Sequence, residues 1–437
     1  MSANKKKVLI LGLNYHPEPT GIAVYTYGLA TGLRDRGYQV EVITGYPHYP
    51  QWSKDRNYTS MFPSGLHDGV RLTRVDHYVP KNPTLIKRTR LEIGFGIRAV
   101  LCKWGSPDVI ICISPALIPT WFAAIKNKHL SRSRPFGIWV QDLYSMGVVE
   151  TKSMSKLPAR AVAALESNTM QKADKLVVIH DRFADSLVGS LSISRERIST
   201  VRNWAHTMPT TGQSIKSARV HLGWDQTSTI VLHAGNMGAK QGLENVISAA
   251  AMAAERKQDI QFILLGDGNQ REKLEAMSQA IPTVKFIDPL DDHDFATALA
   301  AADYLLVNEA PGISEMAVPS KLTTYFNASK PVIAATDPLG ITAAEIRISG
   351  AGVVVPSGEP ESLLSAICKL HEDPVLSQAY GIAGAKFARE RLSAKPTLDT
   401  FAKWIDELAV TPMRPHGLFP KIVNQVAHLA TRARRRK

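Results

Sequence analysis

HAGNMGAKQG, residues 233–242, follows an apolar run, TIVLHA (229–234), and leads into a helix-like run, GLENVISAAAMAAERK (242–257). Strand, glycine turn and helix in that order open a βαβ unit. Glycines at 235, 238 and 242 let backbone N–H groups approach a ligand closely, and a helix start adds partial positive charge. Lys240 places a full cation at the same point. The stretch predicts an anion site, a phosphate in the simplest case, at the carboxyl end of a buried strand. The competing reading of Lys240 is a solvated lysine at a helix terminus.

Working outward, the same alternation fills the second half of the chain. IQFILLG (260–266), VKFIDP (284–289), YLLVN (304–308), PVIAA (331–335) and GVVVP (352–356) are strand-like, with helix-like runs around 269–280, 291–302, 319–328, 340–349 and 359–371. The first half repeats it. KVLILGL (7–13), QVEVITG (39–45), VRLTRVD (70–76), DVIICIS (108–114), GIWVQDL (137–143), KLVVIH (175–180) and ISTVRN (198–203) are separated by helix-like runs at 21–36, 85–104, 116–130, 158–173 and 181–191. Continuous apolar strands alternating with helices predict parallel sheets covered on both faces. The chain therefore reads as α/β, two tandem doubly wound, Rossmann-like domains facing across a cleft. The expected units are 1–205, 206–394 and a C-terminal part, 395–437, of helices and a basic tail. A polar segment, HTMPTTGQSIKSA (206–218), reads as the irregular hinge.

The 437 residues are 44% hydrophobic and 21% charged, enough apolar material for two cores. No apolar run approaches the ~18 residues needed to span a bilayer. Cys102, Cys112 and Cys368 are scattered, with neither metal-ligand spacing nor a disulfide framework, which fits a reducing cytoplasm. Charge is uneven. Residues 1–205 carry 28 Lys and Arg against 15 Asp and Glu, residues 206–410 carry 17 against 24, and residues 411–437 carry 7 against none. A basic first half and tail attract phosphates, nucleic acid or an anionic membrane face. In the tail, Leu418, Ile422, Val426 and Leu429 fall on one helical face among the basic residues.

Several fragments, in order, carry a resemblance: NYHPEPTGIAVYT (14–26), ITGYPHYPQW (43–52), WVQDLY (139–144), VRNW (201–204), the turn at 235–242, ILLGDG (263–268), AADYLLVNE (301–309) and PSKLTTYFNASKPVIA (319–334). Over roughly residues 7–395 the chain resembles the GT-B glycosyltransferases, more narrowly the family-4 retaining enzymes of the colanic-acid, exopolysaccharide type. The resemblance implies transfer of a hexose-type sugar from a nucleotide-diphosphate donor to a lipid-linked or polysaccharide acceptor, without a required cofactor or metal.

It also implies site residues. The donor diphosphate is expected on Gly235, Asn236, Lys240 and Gly242, aided by Ser320 and Lys321 at a second helix start. Many relatives carry an arginine shortly before the lysine; here Asn236 and Met237 stand there, which shifts weight onto Lys240, Ser320 and Lys321. The paired glutamates of the family are absent at their usual spacing, and Glu315 or Glu309 is the candidate for binding sugar or ribose hydroxyls. In the first half, Gln141 stands where many relatives have a histidine and Asp142 follows; these are the catalytic candidates, Asp142 either steering the acceptor or capping the next turn. Gly21, Tyr15, Tyr46, Tyr49 and Trp52 are expected on the acceptor side. DDHD at 291–294 looks like a metal cluster, but carboxylates at a helix start read as capping groups.

The basic first half further suggests contact between segment 85–104 and an anionic membrane surface, which places the protein in the cytoplasm, peripheral to the inner face of the membrane. A nucleotide-sugar epimerase or hydrolase of the same fold leaves that charge unexplained. A nucleic-acid-binding protein, the other class open to a basic chain, lacks a zinc finger, an RNA-binding signature or a basic–aromatic stripe.

Overall fold

The computed structural model describes residues 6–18, 21–49, 51–54, 64–129, 133–145, 156–205, 214–313 and 320–411. Most of the hinge segment, Glu315 and the basic tail lie outside the described residues. The first half contains β1 (Lys7–Leu11), α1 (Ile22–Asp35), β2 (Gln39–Gly45), β3 (Gly65–His67), β4 (Val70–Val75), α2 (Leu85–Leu101), β5 (Val109–Ser114), α3 (Leu117–His129), β6 (Phe136–Val140), α4 (Lys156–Gln171), β7 (Lys175–Val178), α5 (Asp181–Gly189) and β8 (Ile198–Thr200). The second contains α6 (Ile215–Leu222), β9 (Thr229–Ala234), α7 (Glu244–Glu255), β10 (Ile260–Leu265), α8 (Arg271–Ser278), β11 (Val284–Ile287), α9 (Asp292–Ala301), β12 (Tyr304–Asn308), α10 (Ser320–Asn327), β13 (Val332–Thr336), α11 (Ile341–Ser349), β14 (Gly352–Pro356), α12 (Pro360–Glu372), α13 (Pro374–Arg391) and α14 (Ala394–Ala409).

Two sheets result. The first has eight strands in the order β3-β4-β2-β1-β5-β6-β7-β8, the second six in the order β11-β10-β9-β12-β13-β14. Every pairing is parallel except β3 with β4. The central strands β5, β6, β9, β12 and β13 are buried along their whole length, as strands covered on both faces must be. The doubly wound α/β architecture read from the sequence is the observed one. In each sheet the strand order reverses once, between β1 and β5 and between β9 and β12. Such reversals open a crevice outside the strands' carboxyl ends, where ligands of this architecture bind.

Four features depart from the sequence reading. Residues 215–218 are not irregular: Ser214 caps α6 by accepting from the Ser217 N–H at 3.1 Å. The hairpin β3–β4 and helix α13 were not foreseen. Helix α14 was foreseen, but its partner was not, for it crosses back to the first sheet. Its Phe401 is fully buried, 4.7 Å ring to ring from Trp139 and 6.4 Å from Trp204. A side chain at Gly137 of β6 would meet the Trp404 ring at 2.5 Å, so glycine there makes room for the helix. Around that apolar contact, Lys6 pairs with Asp406, Arg36 with Asp399 and Lys175 with Glu407. The chain thus passes between the two sheets twice, and Ala205 N–H donates to Leu392 C=O at 2.8 Å where the passages meet.

Candidate active site

The reversal in the second sheet is built by strands that part. β9 pairs with β12 only at Val231–Tyr304 and Leu232–Leu305. Beyond that register the ends diverge, and side chains fill the gap. The Tyr325 hydroxyl, on α10, accepts from the Ala234 N–H at 2.8 Å and so satisfies a strand donor that has lost its neighbour. Lys321, one turn earlier on α10, brings its Nζ to 3.3 Å from His233 Nε2. An ammonium only donates, so this His233 nitrogen is the acceptor of a neutral ring. Burial, reinforced by the Lys321 charge, holds His233 well below the ordinary histidine range. Burial likewise pulls Lys321 down to about 8, partly opposed by the charge of Glu309.

The glycine turn lies over that lysine. Gly235 has φ +133°, a region side chains avoid, and a Cβ there would lie 3.6 Å from Lys321 Nζ. Residues 239–241 form one 3-10 turn carrying the exposed Lys240, and α7 starts only at Glu244. The end of β12 clamps the turn. Asn308 Nδ2 donates to the carbonyls of Gln241 and Gly242 at 2.7 and 2.9 Å, and Ala310 N–H donates to Lys240 C=O at 2.8 Å. A Cβ at Gly242, whose φ is +54°, would collide with Ala310 Cα at 2.8 Å. Beside the clamp, Glu309 accepts from the hydroxyls of Thr336 and Thr342. A fixed carboxylate, a half-buried lysine and a glycine turn thus share one crevice.

The carboxyl edge of the first sheet is held by buried carboxylates. Glu18 accepts from the N–H groups of His48 and Tyr49 at 2.9 and 3.0 Å and from Asn14 Nδ2 at 2.8 Å, tying the loop after β1 to the loop after β2. In the second loop Tyr49 is exposed and packs edge-on to Trp52, 5.9 Å between rings, while the Arg88 guanidinium lies 5.0 Å over Trp52. After β6, Glu166 accepts from the N–H groups of Tyr144 and Ser145, and Glu92 accepts from the Tyr144 hydroxyl at 2.6 Å. Burial pushes both carboxyls above the ordinary range. Asp142 Oδ1 accepts from Leu143 N–H at 2.9 Å, and its carbonyl accepts from the Ser114 hydroxyl at 3.0 Å.

A buried ionic contact joins the edges of the two sheets. Glu345, on α11 and buried, accepts from Arg202 after β8 and from His180 Nε2 at 3.0 Å. His180 Nδ1 accepts from the Arg182 N–H at 3.1 Å as it caps α5, which leaves Nε2 to carry the proton.

Both halves match families of known proteins. Residues 20–204 match the glycosyl transferase 4-like domain and residues 228–373 the glycosyl transferases group 1. The chain is 30% identical over 337 residues to the putative colanic acid biosynthesis glycosyl transferase WcaI of Escherichia coli K12, spanning 72% of this chain and 80% of that protein. It is a GT-B glycosyltransferase of the family-4 type. Among solved structures, the sucrose-phosphate synthase of Thermosynechococcus elongatus superposes with a TM-score of 0.70 at 16% identity, over 92% of this chain and 99% of that one. HepE of Anabaena, in complex with UDP-glucose, superposes with a TM-score of 0.65 at 17% identity, over 92% and 99%.

Within the transferase, Gly235, Asn236, Lys240, Gly242 and Lys321 come together at the second sheet's reversal, and Ser320 opens α10 beside them. Met237, in the stretch where relatives carry arginine, is fully buried in the core and takes no part. The helix start expected at the turn is displaced to Glu244, because Gly242 takes a left-handed conformation first. Gln141 is buried and its amide is fully engaged with Asn203, donating at 3.2 Å and accepting at 2.8 Å. Gly21, φ +60°, begins α1. Tyr15 corrects an expectation: it is 4% exposed, edge-on to Tyr27 in the core, and has no face open to a sugar. Asp291 accepts from the Asp294 N–H at 2.8 Å, the capping bond expected of DDHD, while His221, His293 and Asp294 place ligand-type atoms within 4.8 Å of one another on the surface. Sequence reading missed Glu18 and Glu345; a carboxylate between prolines in HPEP was the available signal for the first.

Proposed function

We propose that the transferase moves a hexose-type sugar from a nucleotide-diphosphate donor to a lipid-linked or polysaccharide acceptor in cell-surface glycan synthesis, retaining the configuration of the transferred carbon and requiring no metal. The observation that carries this reading is Lys321, half-buried beneath the left-handed Gly235 where β9 and β12 part. A diphosphate seated on the turn gains the Lys321 charge from below and the Lys240 charge from the rim, with backbone N–H groups of the turn as further donors. Two lysines and oriented amides supply the neutralisation that a divalent cation supplies elsewhere. Glu309, oriented by two threonine hydroxyls, suits a sugar or ribose hydroxyl; Glu315 is its rival.

In the transfer, the bond between the sugar's anomeric carbon and the leaving phosphate oxygen breaks, and the acceptor oxygen bonds to the same face. The leaving diphosphate takes the acceptor's proton, so no strong protein base is needed. Asp142, at the carboxyl end of β6, steers the acceptor or stabilises positive charge at the anomeric carbon. Gln141 acts by positioning, through Asn203. Tyr49 and Trp52 offer ring surfaces to an acceptor sugar. The UDP-glucose held by HepE and the colanic acid role in the WcaI name fit this donor and product class.

Thermal-shift screening of nucleotide sugars, then transfer assays with a chelator present and assignment of the product anomer, tests the reading. Donor-dependent stabilisation and a retained anomer are expected. Tight oligonucleotide binding without nucleotide binding overturns it, and free sugar as the sole product replaces transfer with hydrolysis.

A further inference from the structure

Helix α2 is apolar on two opposite sides. Leu91, Phe95 and Ala99 face the core and are buried. Ile86, Ile93, Ile97 and Leu101 are exposed, Ile86 by 82% and Leu101 by 77%. At 100° per residue these four lie within roughly 80° of one another, a continuous stripe about four turns long that no other part of the described chain covers. Arg90 stands within the stripe, and Lys87 and Arg98 flank it. Around the helix, residues 81–103 contain six cations, Lys81, Lys87, Arg88, Arg90, Arg98 and Lys103, and one acid, Glu92. That acid is buried, accepting from the Ile118 N–H at 3.0 Å and from the Tyr144 hydroxyl, so it does not face outward. Arg98 also reaches Asp76, at 3.4 Å.

We infer that this face of α2 is a membrane-docking surface for an anionic lipid bilayer. The occupant is set by charge. The outward side offers apolar side chains together with cations and presents almost no anion, a combination that matches acyl chains beneath anionic headgroups and matches an acidic protein surface only in part. No described helix is long and apolar enough to cross a membrane, so docking on the surface is what α2 can provide. The orientation follows from the fold. α2 leaves the carboxyl end of β4, so its first turn lies at the cleft edge, where Arg88 covers Trp52 and Arg90 lies 4.5 Å over Tyr78. A bilayer lying along the stripe therefore reaches the cleft edge at the first turn of α2. This deepens the lipid-linked acceptor reading and rests on it for its purpose, but not for the binding itself.

The test is co-sedimentation of the full chain, without donor, with vesicles of phosphatidylcholine alone and with about a third phosphatidylglycerol, at low and high salt. Binding is expected to the anionic vesicles, weakened by salt. The double substitution Ile93→Glu with Ile97→Glu is expected to lower the bound fraction at least about tenfold, and Lys87→Gln with Arg90→Gln to lower it on anionic vesicles. UDP titration of the same variants shows that they remain folded, and keeps a failure of the donor reading distinct from a failure of docking. Equal binding to neutral vesicles, variants that bind as the parent does, or a parent dimer abolished by the glutamates would overturn the proposal, the last in favour of a second copy of the chain.

Discussion

At the scale of single residues, Lys321 makes the most testable claim. Its pKa of about 8 lies below the ordinary lysine value because burial penalises the ammonium. The cation is therefore present below that value and lost above it. If Lys321 neutralises the diphosphate, UDP affinity should fall by up to about tenfold between roughly pH 7 and 9, the range over which most of its charge is lost. Calorimetry across that range checks it, and Lys321→Met should bind weakly with a flat profile. Lys240→Ala should weaken UDP binding by ~1–3 kcal/mol, the loss of one charge-assisted contact; unchanged affinity removes Lys240 from the site. Asp142→Asn should leave UDP binding intact and lower the transfer rate; parent-like turnover would make the Leu143 N–H bond its whole role. Lys240 was legible because glycines and a lysine after a strand have local meaning. The central place of Lys321 was less so, since PSK at a helix start reads as a second anion contact and only the parting of β9 and β12 sets its side chain against His233. Glu345 was not legible at all, because its partners His180 and Arg202 stand more than a hundred residues away.

At the scale of elements, the sequence reading succeeds where one face or both are simply apolar, and fails where packing uses other means. Helix α13 was missed because its contact face is small. A Cβ at Gly381 would lie 2.3 Å from the Ser329 carbonyl oxygen, and one at Gly384 would lie 3.1 Å from Ala351 Cβ. Close approach through glycine leaves no apolar period to read. The β3–β4 hairpin carried a signal that went unread: Asp68 and Gly69, both at positive φ, form the two-residue turn that Asp-Gly favours. For α14 the buried stripe was visible, but a stripe does not name what it packs on. Its place against β6 predicts that Phe401→Ala, emptying a space between Trp139, Trp204 and Trp404, should destabilise the protein by about 3–5 kcal/mol. Urea unfolding followed by tryptophan fluorescence measures this, and a cost near zero would mean that α14 is not anchored through this ring.

At the scale of the molecule, the described residues join the two sheets by two chain passages, by α14, by a Tyr25–Thr323 hydrogen bond and by the buried ionic contact at Glu345. Besides α14, the apolar cores meet at Ile341 of α11, which is buried in the core of the first sheet, so among the described residues the coupling between the units rests on few groups. Glu345 is the one that can be removed cleanly. Burial alone would raise its pKa, but the His180 hydrogen bond and the Arg202 charge outweigh it, and the carboxyl is held below its ordinary range. A lowered folded value means that the carboxylate's stabilising contribution is complete above the unfolded value and is lost only as pH falls through the folded one, so near neutrality Glu345 is a carboxylate. Glu345→Ala leaves His180 and Arg202 without their acceptor, and breaking a buried pair by deleting one member costs about 3–5 kcal/mol. Because the lost contact spans the two sheets, its removal should uncouple them as well as destabilise them. Urea unfolding of the parent is expected as one transition and that of Glu345→Ala as two, with faster amide exchange around residues 201–205 and along α11. Glu345→Gln keeps an acceptor for both partners and should unfold nearly as the parent does. If Glu345→Ala still unfolds in a single transition at the parent's midpoint, the coupling resides in α14 and the paired passages at Ala205 and Leu392 instead, and Phe401→Ala becomes the variant expected to separate the two units.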